Sequence, residues 1–411
     1  MRNFIFPLLL LFALQLSAQR QCVTSEYRSE LFKDPFIANA VLQTEKFLDV
    51  KKGNEILSSA TIQNSAKGIA VIKIPVVVHV LYNKAEENIS YQQILSQIEI
   101  LNKDFRNRNQ ANPSGMYANL SADSYIEFQL ATIDPYGNPT TGVVRKKTDI
   151  RFFNYDDRIK FSAKGGSDAW DAKYYLNIWV GNLAGGLAGY SSPVGGNPET
   201  DGVVIRHNYF GKTGAGDFGL GRTATHEIGH WLGLNHIWGD AMCGDDGVED
   251  TPPQQSATNG CPSGTVVSCG NSGNMYMNFM DYTNDQCVYM FTYGQVNRMR
   301  KLFEPEGYRS EILHSAALAG PVIPESEIPV QHGEMNLKTW PNPVNGILNL
   351  QFANFEQSRG LKILILNSQG QEVYTDVISS AHQQIDMSVF RPGLYFITTT
   401  DRRKTFKIIR Q

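Results

Sequence analysis

Residues 226–236 read HEIGHWLGLNH, and no other string constrains the fold of this chain so tightly. His226 and His230 stand at i and i+4, so on a helix their imidazoles share one face and reach one point. Gly233 suits the left-handed turn that ends such a helix. The turned chain can then present His236 as a third donor. Three neutral imidazoles leave one coordination position open, the pattern of a catalytic rather than a structural zinc site. Glu227 follows the first histidine and can act as general base toward a zinc-polarised water, chemistry that suits amide hydrolysis. The bland alternative is three satisfied core or surface histidines. It needs five fixed positions to coincide by chance, about one in 10⁵ at this composition. The remaining histidines, His79, His207, His314, His332 and His382, have no ligand spacing and read as structural or solvated.

The pattern around the motif predicts a mixed sheet layered on helices, an α+β unit. Ala70–Tyr82 reads as a buried strand, with further strands at Ile126–Ile133, Tyr175–Val180 and Gly202–His207. Tyr91–Phe105 carries Ile94, Ile98, Leu101 and Phe105 at helical spacing, and Tyr293–Phe303 also reads as helix. Residues 19–65 are polar, with helix-compatible stretches at Glu30–Leu42 and Thr44–Leu48 and no strand pattern. Residues 239–290 hold four of the 5 Cys and look irregular and pinned.

Residues 1–18 have the charged start, apolar run and small-residue end of a secretory signal, too short to span a bilayer. No later apolar stretch has spanning length, so no transmembrane anchor is expected. Lys+Arg 37 against Asp+Glu 40 gives a net charge of −3. That offers no basic stripe for nucleic acid.

The longer strings HEIGHWLGLNHIWGD, DDGVEDTP, NFMDYTNDQC and FTYGQVNRM resemble the pappalysin family of metzincin metallopeptidases, over about residues 70–304. The resemblance implies a metzincin-type zinc endopeptidase acting on proteins and peptides, with a cleft between an upper sheet-and-helix half and a lower irregular half. It implies one zinc on His226, His230 and His236, a methionine turn at Met280, and Tyr282 as donor to the oxyanion. Relatives cleave before Arg or Lys, which assigns the specificity pocket to Asp285 and Gln286. Lys51, Lys52 and Lys67 are then candidate activation cuts, and Gly186–Ser191 is the expected edge strand for substrate.

Clustered carboxylates at 245–250 repel unless a cation lies between them, and oxygen donors suit calcium. From spacing alone a solvated acidic loop is equally acceptable. The resemblance favours one or two calcium ions, with Asp245, Asp246, Asp250, Thr251 and the Val248 carbonyl as ligands. Cys243, Cys261, Cys269 and Cys287 allow three pairings by sequence. The family arrangement implies Cys243–Cys269 and Cys261–Cys287.

The odd cysteine is Cys22. A free thiol or a lipidated cysteine is the ordinary reading, though the preceding SAQRQ lacks the usual apolar-small run. A thiolate is also a strong zinc ligand. The family resemblance implies that Cys22 holds the proform latent from within an inhibitory prosegment at 19–65. A catalytic domain would then occupy 66–317 and a proline-containing linker 318–335. Residues 336–411 alternate in short strands, and WPNPVNGILNL and RPGLYFITTTDRRKTFKIIRQ resemble the sorting domain of the type IX secretion system of Bacteroidota. This implies partnership with that machinery, passage through the periplasm and outer membrane, and a secreted or cell-surface product. An inactive adhesin that keeps the fold is the competing class, and the intact Glu227 argues against it.

Overall fold

The computed structural model describes residues 21–49, 68–109, 115–322, 337–352, 362–399 and 405–411. The signal segment, Lys51, Lys52, Lys67 and most of the linker lie outside the described residues. The chain opens with a short strand, β1 (Gln21–Cys22), and two helices, α1 (Thr24–Leu31) and α2 (Pro35–Leu48). The helical stretch expected across Glu30–Leu42 is broken at Phe32–Asp34. Asp34 accepts the Phe36 N–H at 2.8 Å, and Pro35 follows at the first helical position, where its missing N–H costs no bond.

Next come β2 (Ile72–Tyr82), α3 (Tyr91–Phe105), β3 (Ile126–Leu130), β4 (Val143–Lys147), β5 (Leu176–Gly181), β6 (Leu187–Ser191) and β7 (Val203–Arg206). They form one sheet in the order β1-β6-β7-β5-β2-β3, with β4 also beside β2. β2 is central and buried on both faces, which explains its near-continuous Val and Ile run. β3, β4 and β5 pair with it in parallel. β6 is antiparallel to β7, and β1 lies parallel along the outer edge of β6.

Helix α3 starts at Ser90, whose hydroxyl accepts the Gln93 N–H, and buries Ile94, Leu101 and Phe105. These join Ala224, Ile228 and Trp231 of α4 (Arg222–Trp231) in the apolar cluster under the sheet. Helix α5 (Tyr293–Lys301) closes that cluster behind a Thr292–Gln295 capping box.

Between α4 and α5 the chain forms no helix and no strand. Disulfides Cys243–Cys269 and Cys261–Cys287 cross this stretch, the pairing that the family resemblance implies. Side chains replace ladders there: Asp281 accepts the N–H groups of Thr258 and Tyr282 and the Gln254 amide.

The C-terminal strands are β8 (Leu337–Trp340), β9 (Ile347–Phe352), β10 (Lys362–Asn367), β11 (Glu372–Val377), β12 (His382–Asp386), β13 (Gly393–Thr399) and β14 (Phe406–Arg410). Two antiparallel sheets, β11-β10-β13-β14 and β12-β9-β8, enclose their own core of Leu348, Leu350, Ile363, Ile365, Ile397 and Ile408. This is the small β-sandwich expected from the alternating pattern. No helix among the described residues is long and apolar enough to cross a membrane.

Candidate metal centre

Helix α4 is buried almost throughout, so its two histidines point into the protein and not into solvent. Its start is held by Asp285, whose Oδ2 accepts the N–H groups of Leu220 and Arg222 at 3.0 and 3.2 Å. Its end is a Schellman turn: Gly233 N–H bonds to His230 O and Leu234 N–H to Gly229 O. Gly233 adopts φ +85°, as the sequence pattern predicts. The turn delivers His236 opposite the helix. A methyl group at Gly229 would stand 2.5 Å from Met280 Sδ, so the glycine admits the methionine turn beneath the histidines.

The Nε2 atoms of His226 and His236 lie 3.2 and 3.1 Å from that of His230. Cys22 Sγ lies 3.7 Å from His230 Nε2, and all four donor atoms fall within 4.8 Å of one another. Each Nδ1 has its own acceptor: Phe279 O for His226 at 2.7 Å, Leu234 O for His230 at 2.8 Å, and Asp240 Oδ1 for His236 at 2.6 Å. An Nδ1 that donates leaves the Nε2 lone pair as the only function of the other ring nitrogen. Three such lone pairs face one point. Burial, then His236 and His226, push the His230 pKa well down, so this ring is a neutral donor. Tetrahedral coordination at 2.0–2.1 Å puts nitrogens about 3.3 Å apart, which these spacings match. The donor set therefore fits a zinc ion.

Glu227 Oε2 accepts the Thr24 hydroxyl at 2.9 Å and lies 3.5 Å from Cys22 Sγ. A Cβ at Gly189 would meet Glu227 Cγ at 3.0 Å, so the glycine in β6 makes room for this carboxylate. The Tyr282 hydroxyl donates to Cys22 O at 3.0 Å, and its ring stands edge-on to His236. Burial and then Cys22 push the Tyr282 pKa up, so it is a donor and not a phenolate. The expected edge strand at Gly186–Ser191 is β6, and β1 covers it.

The acidic loop divides. Asp245, Asp246, Val248 and Thr251 border one cavity of about 510 Å³. Asp246 Oδ1 accepts the Val248 N–H at 3.1 Å and the Thr251 hydroxyl at 2.8 Å, whereas its Oδ2 is buried with no hydrogen-bond partner. Burial pushes this carboxyl up to about 7. Asp250 departs from the expected ligand group: its oxygens accept the Thr292 hydroxyl and the Gly294 N–H at the start of α5. Asp285 is fully buried at the start of α4, while the neighbouring Gln286 is exposed.

Sequence reasoning missed Asp240, which orients His236 and also accepts the Ser25 hydroxyl at 2.7 Å. A carboxylate four residues after a ligand histidine was a usable signal, because ligating imidazoles need such partners. It also missed Thr24, and Arg298, which donates to Gly233 O at 2.6 Å and pairs with Glu45 of α2. Nothing local marks either one.

Residues 161–304 match the family model described as pregnancy-associated plasma protein-A. An extracellular metalloprotease of Arthroderma gypseum is 33% identical over 239 residues, 55% of this chain and 70% of that protein. Extracellular metalloprotease 1 of Coccidioides posadasii is 32% identical over 245 residues, 57% of this chain and 78% of that protein. The chain belongs to the pappalysin family of metallopeptidases. Tannerella forsythia mature mirolysin in complex with a cleaved peptide is 47% identical, with a TM-score of 0.60 over 62% of this chain and 100% of that one. A promirolysin mutant of the same organism is 41% identical, with a TM-score of 0.65 over 73% and 99%. This pappalysin is thus a metalloendopeptidase, and its family implies a zinc cofactor. Residues 338–411 match the secretion system C-terminal sorting domain, which assigns the chain to type IX secretion and a secreted or cell-surface place.

Proposed function

We propose that the chain is a zymogen in which residues 19–65 block the cleft of a catalytic unit at 66–317. A signal segment (1–18), a linker (318–335) and a sorting domain (336–411) complete it. His226, His230 and His236 hold the zinc, and Cys22 takes the remaining position in the latent chain. The observation that carries this reading is the convergence of those four donor atoms within 4.8 Å, beside Glu227. The larger share of this chain matched by promirolysin than by mature mirolysin supports the prosegment.

Zinc held by these histidines would supply a Lewis acid that polarises the substrate carbonyl. Glu227 Oε2 takes a proton from the attacking water and returns it to the leaving amine. The Tyr282 hydroxyl donates to the oxyanion that forms as the carbonyl is attacked. In the latent chain residues 22–24 occupy all three functions: the thiol at the histidines, the Cys22 carbonyl on Tyr282, and the Thr24 hydroxyl on Glu227.

Cleavage before Arg or Lys is assigned to Asp285 and Gln286, a buried carboxylate and the exposed amide next to it in sequence. A calcium ion is assigned to Asp246, Asp245, Thr251 and the Val248 carbonyl. The buried, unpartnered Asp246 Oδ2 supports it. Asp250 is left to α5.

Casein cleavage with and without a zinc chelator, beside Glu227→Ala, tests the chemistry; full activity in either would end it. A Cys22→Ala proform should activate early, and unchanged latency would remove Cys22 from the reading. N-terminal sequencing of the secreted product reports the activation cut. A peptide library that shows no Arg or Lys after the cut rejects the pocket. Addition of EGTA should lower the melting temperature and calcium should restore it.

A further inference from the structure

Tyr27, one turn into α1, has no part in the metal cluster, yet it is only 2% exposed. A Cβ at Gly189 would point at Glu227, so strand alternation turns Ala188 and Tyr190 to the opposite face of β6. On that face the Tyr27 ring lies 4.8 Å from the Tyr190 ring, and its hydroxyl donates to Asp157 Oδ2 at 2.6 Å. Lys160 is fully buried beside them. It pairs with Asp157 at 2.9 Å and donates to Thr200 O at 2.8 Å. Its Nζ stands 5.0 Å from the centroids of the Tyr27 and Tyr190 rings and 5.4 Å from that of Trp179. Asp157 holds a left-handed backbone at φ 60°, a local strain of the kind that accompanies ligand clamps.

Asp157, Lys160, Trp179 and Tyr190 all belong to the catalytic unit; Tyr27 alone comes from the segment assigned as prosegment. Departure of that segment vacates the volume of one tyrosine side chain. It also leaves a largely buried carboxylate oxygen without its donor. The geometry points to this seat as a substrate pocket selective for the phenol of a tyrosine, filled by Tyr27 in the latent chain and by a tyrosine of the substrate in the mature enzyme. This rests on the prosegment reading above.

A peptide added to the β6 edge sends alternate side chains to the two faces of the sheet. One set faces the histidines and Glu227. The other set lies beside Tyr190, as cross-strand neighbours do. Phenylalanine satisfies the aromatic walls but leaves Asp157 Oδ2 bare. Lysine or arginine brings a second cation against buried Lys160. The seat therefore ranks tyrosine over phenylalanine and phenylalanine over the basic residues, the reverse of the preference assigned to the pocket after the cut.

The enzyme activated from the full chain is given a peptide library randomised around the cleavage position. Tyrosine should be enriched at one position and favoured over phenylalanine about tenfold in kcat/KM, the size of a hydrogen bond to a charged acceptor. Asp157→Asn should shrink that ratio without moving the Arg or Lys preference. In a second arm, labelled peptides of residues 21–49 are titrated onto the same enzyme by anisotropy. The Tyr27→Phe peptide should bind about tenfold more weakly. Cleavage with no tyrosine position, or with tyrosine and phenylalanine equal, overturns the pocket and leaves the peptidase reading intact. An enzyme that cuts no peptide overturns that reading instead, and equal affinity of the two 21–49 peptides then overturns the seat. If Asp157→Asn does not fold, the tyrosine-to-phenylalanine ratio on the unaltered enzyme decides.

Discussion

β2 is clamped between parallel neighbours and buried on both faces, whereas residues 236–290 contain neither helix nor strand and are crossed by two disulfides. Both regions reach the same histidines. The sheet half supplies His226, Glu227 and His230 from a helix seated on an apolar core. The irregular half supplies His236, the Phe279 carbonyl, Met280 and Tyr282 from turns held by side chains such as Asp281 and Asp240. A regular half can be stabilised by many small, additive contacts. An irregular half depends on a few connections, each of which matters more.

The largest test of that contrast is activity. Glu227→Ala, on the sheet side, should lower kcat about 10⁴-fold, and Tyr282→Phe, on the irregular side, about 10²-fold. Equal losses would mean that the two halves share the chemistry evenly. Next in size is stability. Each disulfide spans a sequence separation of 26, and replacing Cys261 and Cys287 by serine should cost about 3 kcal/mol in a reversible melt. A loss below about 1 kcal/mol would show that the turns hold themselves.

The sheet half has its own probe in His79, which is buried, bonded to Ser167 and Asn177 and stacked on Trp179. Burial pushes its pKa from 6.5 to about 4. The folded form resists the proton that the unfolded chain accepts. Its contribution is therefore complete above pH 6.5 and is lost as pH falls toward 4. His79→Gln should flatten the urea midpoint across that window. Smallest of all, Met280→Leu keeps volume beneath the histidines and should cost less than about 1.5 kcal/mol.

Sequence and structure agree best where periodicity carries the signal. Tyr91–Phe105 is helical at the expected bounds, because its apolar spacing and the Ser90 cap point the same way. The three histidines converge because helix spacing and one glycine turn dictate it. What was not legible depends on distant partners. The break at Phe32–Asp34 was readable from Asp34-Pro35, a cap followed by a proline at the first helical position, and helix compatibility on either side does not by itself reveal it. Asp250 looks like one of a set of loop carboxylates and proves to hold the start of α5, 42 residues further along at Thr292. Tyr27 carries no local mark, because its seat is assembled from Asp157, Lys160 and Tyr190, remote in sequence.

The thiol at the histidines and the carbonyl on Tyr282 both come from Cys22, and the hydroxyl on Glu227 comes from Thr24, two residues along the chain. None of these contacts needs the stretch between residues 49 and 68 to be intact. On the proposed prosegment reading, nicking the chain there would convert a tethered block into a separate ligand held by the same contacts. Activity should then appear after a lag set by escape of the fragment. Escape is a first-order step, so dilution should leave the lag unchanged and raise only the fraction of enzyme that ends free, and crowding at the cell surface would lower that fraction.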